Sequence, residues 1–194
     1  MKKAVQQRTL ETRARLTEVS HTLANEKGFE AFRIDEVVLL AGVAKGTFFA
    51  HFKDKDELMD LLIGERIHAL LDRMAALPAP RNAEQVVKRL LPVMAFMGSE
   101  RYVFDVILRR SGAAALADIG PIALSFGRLE EITTQWLAKG TFRQDVPTDT
   151  LVEGIEAFVI QTLALGFCAL RSHKPMKDRL LPYLRAWLSP PTSP

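Results

Sequence analysis

Apolar residues recur at helical spacing along most of this 194-residue chain, and no segment alternates apolar and polar residues as a strand would. Seven longer helices are predicted, at residues 9–27, 54–74, 83–97, 100–110, 121–136, 148–170 and 176–188. Proline or glycine interrupts the pattern at 78–80, in a loose segment at 112–120 and in a loop at 140–147. With two shorter helices described next, the pattern predicts an all-α fold of about nine helices.

The two shorter helices lie between residues 34 and 52 and are joined by a tight turn. Ile34, Val37, Val38 and Ala41 stand at i, i+3, i+4 and i+7, which is one helix face. Gly42 ends this helix, because glycine enters the left-handed conformation without steric cost.

The second short helix begins near Ala44 and has Phe48 and Phe52, one turn apart, as its buried anchors. The positions around Phe48 are small, polar or basic: Lys45, Gly46, Thr47, Ala50 and His51. A helix that buries one side and offers the other to a groove is how a helix-turn-helix reads DNA.

Residues 9–60 resemble the DNA-binding domain of TetR/AcrR-type transcriptional regulators. The resemblance rests on elements at fixed spacing: Ala41-Gly42-Val43, Lys45-Gly46-Thr47, Phe49-Ala50-His51-Phe52 and the Lys53-to-Leu58 run KDKDEL. Upstream, the run NEKGFEA at 25–31 resembles the family's link between its first two helices.

The resemblance implies roles for individual side chains. Lys45 and Thr47 are expected to contact base edges or adjacent phosphates, and Gly46 to permit close approach. His51, Lys53 and Lys55 are expected to hold phosphates, helped by the N-terminal amides of the fourth helix.

Some positions depart from the family pattern. Phe32 and Arg33 stand where Thr and Ser or Thr are usual, so the second helix lacks its customary N-cap unless Asp35 and Glu36 compensate.

Two departures fall on the reading helix itself. Phe49 replaces a usual Tyr and loses a hydroxyl that often reaches a phosphate, while Ala50 is small where larger residues commonly reach bases. Arg33, Phe49 and Ala50 complete the set of residues predicted to bind DNA.

The charge distribution agrees with this interpretation. Residues 1–55 hold ten Lys and Arg and seven Asp and Glu, whereas the remaining 16 basic and 16 acidic residues cancel. The whole net charge of +3 therefore lies in a predicted DNA-binding domain, 1–55, which precedes a helical ligand-binding and dimerisation domain, 56–194.

Composition predicts a cytoplasmic protein. Apolar residues make up 48% of the chain, yet no run approaches the length of a membrane span, and the N-terminus lacks the apolar region of a signal peptide. The single cysteine, Cys168, cannot form an intrachain disulfide and is expected to be a buried, inert thiol.

The sequence does not predict an enzyme, a cofactor or a metal site. It has no nucleophile elbow, P-loop, Rossmann glycine pattern or zinc-protease motif. Glu18 and His21, like Glu65 and His68, have the E-x-x-H spacing of di-iron bundles, but Glu18 and His21 are expected to face solvent. His68 is expected to be a packed histidine or, as the less favoured alternative, a pocket histidine.

The segment 148–170 is apolar on two faces. One face carries Leu151, Ile155, Phe158, Val159, Thr162 and Leu163, and the other carries Gly154, Ala157, Gln161, Ala164 and Cys168. Such a helix must bury both faces, in the core of a monomer or partly on a partner. The family resemblance favours a homodimer formed by the last two helices.

The middle helices carry residues suited to an apolar ligand cavity, since methionine and aromatic side chains adapt to irregular ligands. They are Met94, Met97, Tyr102, Phe126 and Trp136, and the same spacing is also typical of an ordinary core.

Together these features predict a homodimeric repressor that binds a palindromic double-stranded operator and is released by a small apolar or amphipathic effector. A helical small-molecule or lipid carrier, and a DNA-binding organiser without a ligand, are the alternatives.

Overall fold

The computed structural model describes residues 2–31, 33–111 and 119–190. The nine helices in these ranges are α1 Lys2–Lys27, α2 Ile34–Leu40, α3 Lys45–His51, α4 Lys55–Ala75, α5 Ala83–Met97, α6 Arg101–Arg110, α7 Pro121–Lys139, α8 Thr148–Gly166 and α9 Met176–Leu188. The predicted all-α fold is confirmed. We call α1–α3 the three-helix unit and α4–α9 the six-helix unit.

Helix bounds follow the sequence closely where caps or prolines mark them. Asn82 caps α5 by accepting a 3.0 Å hydrogen bond from the Gln85 N–H, and Pro121 occupies the first turn of α7. Residues 112–118 of the predicted loose segment 112–120 lie outside the described residues. The last two residues of that segment, Ile119 and Gly120, are not helical.

Three expectations about the helices are corrected. α1 begins earlier than residue 9, because its first turns carry no apolar stripe that a pattern could detect. α8 ends at Gly166, so Cys168 lies in the turn that follows and is only half-buried. His68 is not packed: half of its side chain is exposed, 4.0 Å from Asp72.

α4 connects the two units and packs most closely against α7. A Cβ on Gly64 would lie 2.5 Å from the Pro121 side chain, so only glycine permits this approach. The Ser125 hydroxyl donates to the Gly64 carbonyl at 3.1 Å, and buried Asp60 accepts from the Ile122 N–H at 3.1 Å. Burial raises the pKa of the Asp60 carboxyl.

Aromatic side chains fill the contact between α8 and α9. Phe158 stacks on Tyr183 with ring centroids 5.1 Å apart, and Trp187 donates its indole N–H to the Leu151 carbonyl at 3.1 Å. Gly154, predicted to lie on the small-residue face of α8, lies against Trp187 of α9.

Candidate nucleic-acid interface

The turn between α2 and α3 has the geometry that the sequence predicts. Gly42 has φ of +62°, and the Val43 N–H donates a hydrogen bond to the Val38 carbonyl at 3.0 Å. Ala44 then caps α3 in an extended conformation. Any other residue at 42 would adopt this conformation under strain.

The inner side of α3 is fixed to the core of the three-helix unit. Phe48 and Phe52 are fully buried, with ring centroids 5.4 Å apart. The Arg13 guanidinium of α1 lies over the Phe52 ring at 4.2 Å and donates to the His51 carbonyl. These contacts fix the rotation of α3 about its axis and so determine which side chains point outward.

Glu36 replaces the missing cap at the start of α2. Its carboxylate accepts from the Arg33 backbone N–H at 3.1 Å and from the Lys27 ammonium at 2.6 Å. The bond from Lys27, and next the one from Arg33, lower the pKa of Glu36. The Arg33 guanidinium donates to the Glu30 carbonyl at 3.2 Å. The Arg33 side chain is therefore directed toward the link that precedes α2.

The outer side of α3 presents the predicted reading residues together. Lys45, Gly46, Phe49 and Ala50 are exposed, and Thr47 and His51 are half-buried. A Cβ on Gly46 would meet no protein atom within 4 Å. The Lys45 ammonium lies 2.7 Å from the Asp35 carboxylate in an exposed ion pair. A DNA phosphate could take the place of Asp35 beside Lys45.

Lys53 and Lys55 lie in different environments. Lys53 is exposed, whereas the half-buried Lys55 ammonium lies 3.4 Å from the Glu30 carbonyl and 4.9 Å from the Tyr102 ring centroid. Burial, and then repulsion from Arg33, lower the pKa of Lys55. Lys55 therefore lies where the two units meet, and its phosphate contact stays a prediction.

The N-terminus of α4 is already occupied by carboxylates. Asp54 accepts from the Glu57 N–H at 2.8 Å, and Glu57 accepts from the Lys53 N–H at 2.7 Å. A phosphate at either of these two N–H groups would have to displace a carboxylate, and the expected help from the α4 amides stays a prediction.

Three contacts that the sequence did not reveal lie near the junction of the units, and the first two join one unit to the other. Glu100, just before α6, accepts from the backbone N–H groups of Phe29 and Glu30. Phe29 meets Phe96 edge to face, with centroids 5.8 Å apart. The third contact, within the six-helix unit, is an ion pair at 3.2 Å between the Arg109 guanidinium of α6 and Asp56 at the start of α4. All three span more than fifty residues of sequence, so no local pattern could have indicated them.

The residues predicted to bind a ligand divide into two groups. Met94, Met97 and Trp136 are buried in the six-helix unit, and Tyr102 and Phe126 are half-buried. Their ligand role stays a prediction.

A cavity of about 420 Å³ lies where the units meet, and Phe29 and Phe96 contribute to its lining. In the adjoining groove, His21 and Glu65 of the two E-x-x-H pairs approach within 2.8 Å. The side chains of His21 and Glu65 are 41% and 48% exposed, respectively.

None of the described helices is long and apolar enough to cross a membrane.

Known proteins match the chain at two levels. Residues 16–62 match the family model of bacterial regulatory proteins of the tetR family. An HTH-type transcriptional regulator of Staphylococcus aureus is 25% identical over 81 residues, which is 42% of this chain and 44% of that protein. A second S. aureus regulator of this type is 38% identical over 48 residues, 25% of this chain and 26% of that protein. The chain thus matches less than half the length of these relatives.

Solved structures match nearly the whole fold. Thermus thermophilus FadR, a TetR family transcriptional repressor in complex with lauroyl-CoA, is 16% identical with a TM-score of 0.65, covering 90% of this chain and 92% of that one. RolR in complex with resorcinol is 20% identical with a TM-score of 0.64, covering 94% and 90%. At these identities the likeness concerns the fold.

The turn at Gly42, the buried Phe48 and Phe52 and the exposed Lys45 and Gly46 lie inside the matched family domain. Residues 16–62 are therefore a domain of the tetR family of bacterial regulatory proteins.

Proposed function

We propose that the chain is a DNA-binding transcriptional regulator that acts as a homodimeric repressor. The observation that carries the proposal is the exposed face of α3. A Cβ on Gly46 would meet no atom from outside its own turn of helix, and basic and small side chains surround Gly46 on a helix whose anchors Phe48 and Phe52 are fully buried. A helix of this kind can enter the major groove at the depth that base contact requires.

The exposed small residues of α8 support dimerisation. Ala157, Gln161 and Ala164 are exposed at i, i+4 and i+7, while the opposite side of α8 is buried against the six-helix unit. A partner α8 could approach closely at Ala157 and Ala164, because their side chains are short. The resulting twofold symmetry would place two α3 helices in successive major grooves, about 34–36 Å apart, and so select a palindromic operator.

A small apolar or amphipathic effector is the third part of the proposal. FadR and RolR bind lauroyl-CoA and resorcinol, respectively, in their solved structures. In this chain, Met94, Met97, Tyr102, Phe126 and Trp136 are the proposed ligand contacts. The effector would release DNA to the extent that it binds the DNA-free state more tightly.

Selection of bound duplexes from a random pool tests the DNA-binding part. The purified protein should enrich one palindromic sequence, while a pool that stays random would contradict the proposal.

A titration of the selected duplex with apolar and amphipathic compounds, including lauroyl-CoA and resorcinol, tests the effector part. An effector should weaken DNA binding by the same factor by which DNA weakens effector binding. Binding of a compound without any loss of DNA affinity would contradict the inducer mechanism and leave a regulator controlled in another way.

A further inference from the structure

The Glu100 carboxylate joins the six-helix unit to the peptide that precedes α2. Its two oxygens accept from the Phe29 N–H at 3.0 Å and from the Glu30 N–H at 3.1 Å. Glu100 occupies the N-cap position of α6, but its side chain makes no bond to its own helix. Its two carboxylate oxygens bond instead to a segment about seventy residues earlier in the sequence.

Gly28 makes this approach possible. It ends α1 with φ of +84° and donates its N–H to the Ala24 carbonyl at 3.0 Å. A Cβ on Gly28 would lie 2.9 Å from one Glu100 oxygen, so a larger residue would press against the carboxylate. Because of this turn, two successive backbone N–H groups point to one anion, an arrangement that proteins use to hold carboxylates and phosphates.

The link bears on the orientation of the reading helix. Residues 29 and 30 lie in the link between α1 and α2, and α2 is joined to α3 by the tight turn at Gly42. Phe29 also packs on Phe96, at the end of α5. A shift at the start of α6 therefore reaches α2 through one carboxylate, independently of α4.

We propose that Glu100 is a positioning residue for DNA binding, which holds the three-helix unit in its DNA-reading orientation relative to the six-helix unit. This inference rests on the proposed DNA-binding function. Glu100 itself is not expected to touch DNA, and its effect is exerted through the backbone of residues 29 and 30.

An electrostatic role and a positioning role of Glu100 predict opposite changes in DNA affinity when Glu100 is removed. Removing a negative charge from a DNA-binding protein should tighten binding, because the charge repels phosphates. Removing a positioning contact should weaken binding, since a freer three-helix unit loses more motional freedom when it docks.

Asp105 provides a matched control on the same helix. It is a carboxylate paired at 2.8 Å with Arg101 within α6, and no hydrogen bond or ion pair described for it reaches the three-helix unit. Asp105→Ala therefore removes the same charge without removing the link.

The test compares wild type, Glu100→Ala, Glu100→Gln and Asp105→Ala for affinity toward the duplex that the wild type selects from a random pool. We expect Glu100→Ala to bind about tenfold more weakly, the size of effect that charge-assisted hydrogen bonds produce. Glu100→Gln, which keeps one acceptor oxygen, should lose less, and Asp105→Ala should bind as tightly as wild type or more tightly. The slope of affinity with salt should stay unchanged in all three, because no phosphate contact is removed.

Amide hydrogen exchange without DNA provides a second measurement. The amides of Phe29 and Glu30 should exchange faster in Glu100→Ala, and to a smaller extent in Glu100→Gln, with the amides of α4 and α7 as internal controls. Unchanged exchange at 29 and 30, or equal or tighter DNA binding by both Glu100 variants, would overturn the inference. A wild type that selects no duplex would instead refute the proposed function, and the exchange result would still show whether the link exists.

Discussion

The Trp187 indole occupies the space that a side chain on Gly154 would need. A Cβ at 154 would lie 2.2 Å from the indole nitrogen, and that nitrogen is held by its bond to the Leu151 carbonyl. α8 and α9 can therefore pack in this arrangement only with glycine at 154.

Gly154→Ala should lower the free energy of unfolding, although alanine is the better helix former. Forcing an extra methyl into a packed contact costs about 1–3 kcal/mol, which exceeds the gain of about 0.5–1 kcal/mol from replacing helical glycine. Gly127→Ala is the control, because a Cβ there would meet no atom within 4 Å. Chemical denaturation should show a loss for the first variant and a gain for the second, and equal gains would refute the packing.

Gly46→Ala should reduce DNA binding without reducing stability. The protein leaves space around Gly46, so an added methyl meets nothing until DNA approaches α3. Affinity for the selected duplex should fall while the denaturation midpoint stays equal or rises. Gly127→Ala again serves as the control for a helical glycine remote from α3, and equal DNA affinity in all three proteins would remove Gly46 from the interface.

Ala164→Glu should convert the dimer into a folded monomer. Ala164 is exposed in the single chain, so the protomer can accept glutamate, whereas a twofold contact would bury two like charges. Burying unpaired charge costs several kcal/mol. Sedimentation should show a monomer with unchanged helix content, and affinity for the palindromic duplex should fall because half-sites are no longer read together.

Ala138→Glu, on the exposed face of α7, is the matched control for that substitution. It should remain a dimer. If Ala164→Glu also remains a dimer with normal DNA binding, the contact between protomers lies on another surface.

Glu156 should make stability depend on pH. Burial, followed by repulsion from Glu130 and Glu153, raises its pKa from 4.5 to about 7, and one of its oxygens is buried without a hydrogen-bond partner. Between these values the folded state holds a proton that the unfolded state has released. The contribution of this protonated carboxyl to folding stability is therefore fully present below about pH 4.5 and is lost as the pH rises through about 7.

Glu156→Gln should remove this part of the pH dependence and raise the melting temperature at pH 8 relative to wild type. After discounting for solvent screening, the gain in the free energy of unfolding at pH 8 should be on the order of 1 kcal/mol. Glu153→Gln, at an exposed position, should retain most of the slope. Parallel curves for wild type and Glu156→Gln between pH 5 and 8 would contradict the assignment.

The sequence predicts those parts of the fold that depend on local physics. The Phe48 and Phe52 spacing, the turn at Gly42 and the first-turn proline of α7 each follow from one residue and its neighbours. Contacts across the fold could not be predicted, because residues such as Glu100 and Trp187 act on partners far away in sequence. Lys55 illustrates the difference: its motif predicts a phosphate contact, while the folded chain directs its ammonium toward Glu30 and Tyr102.

The central claim is that the outer face of α3 reads a DNA sequence. The most direct measurement is wild-type affinity for the selected duplex and for a scrambled duplex of equal length, each over a range of salt concentrations. We expect both affinities to fall linearly on logarithmic axes as salt rises, with the selected duplex bound at least about 10³-fold more tightly. Equal affinity for the two duplexes at every salt concentration would contradict the claim.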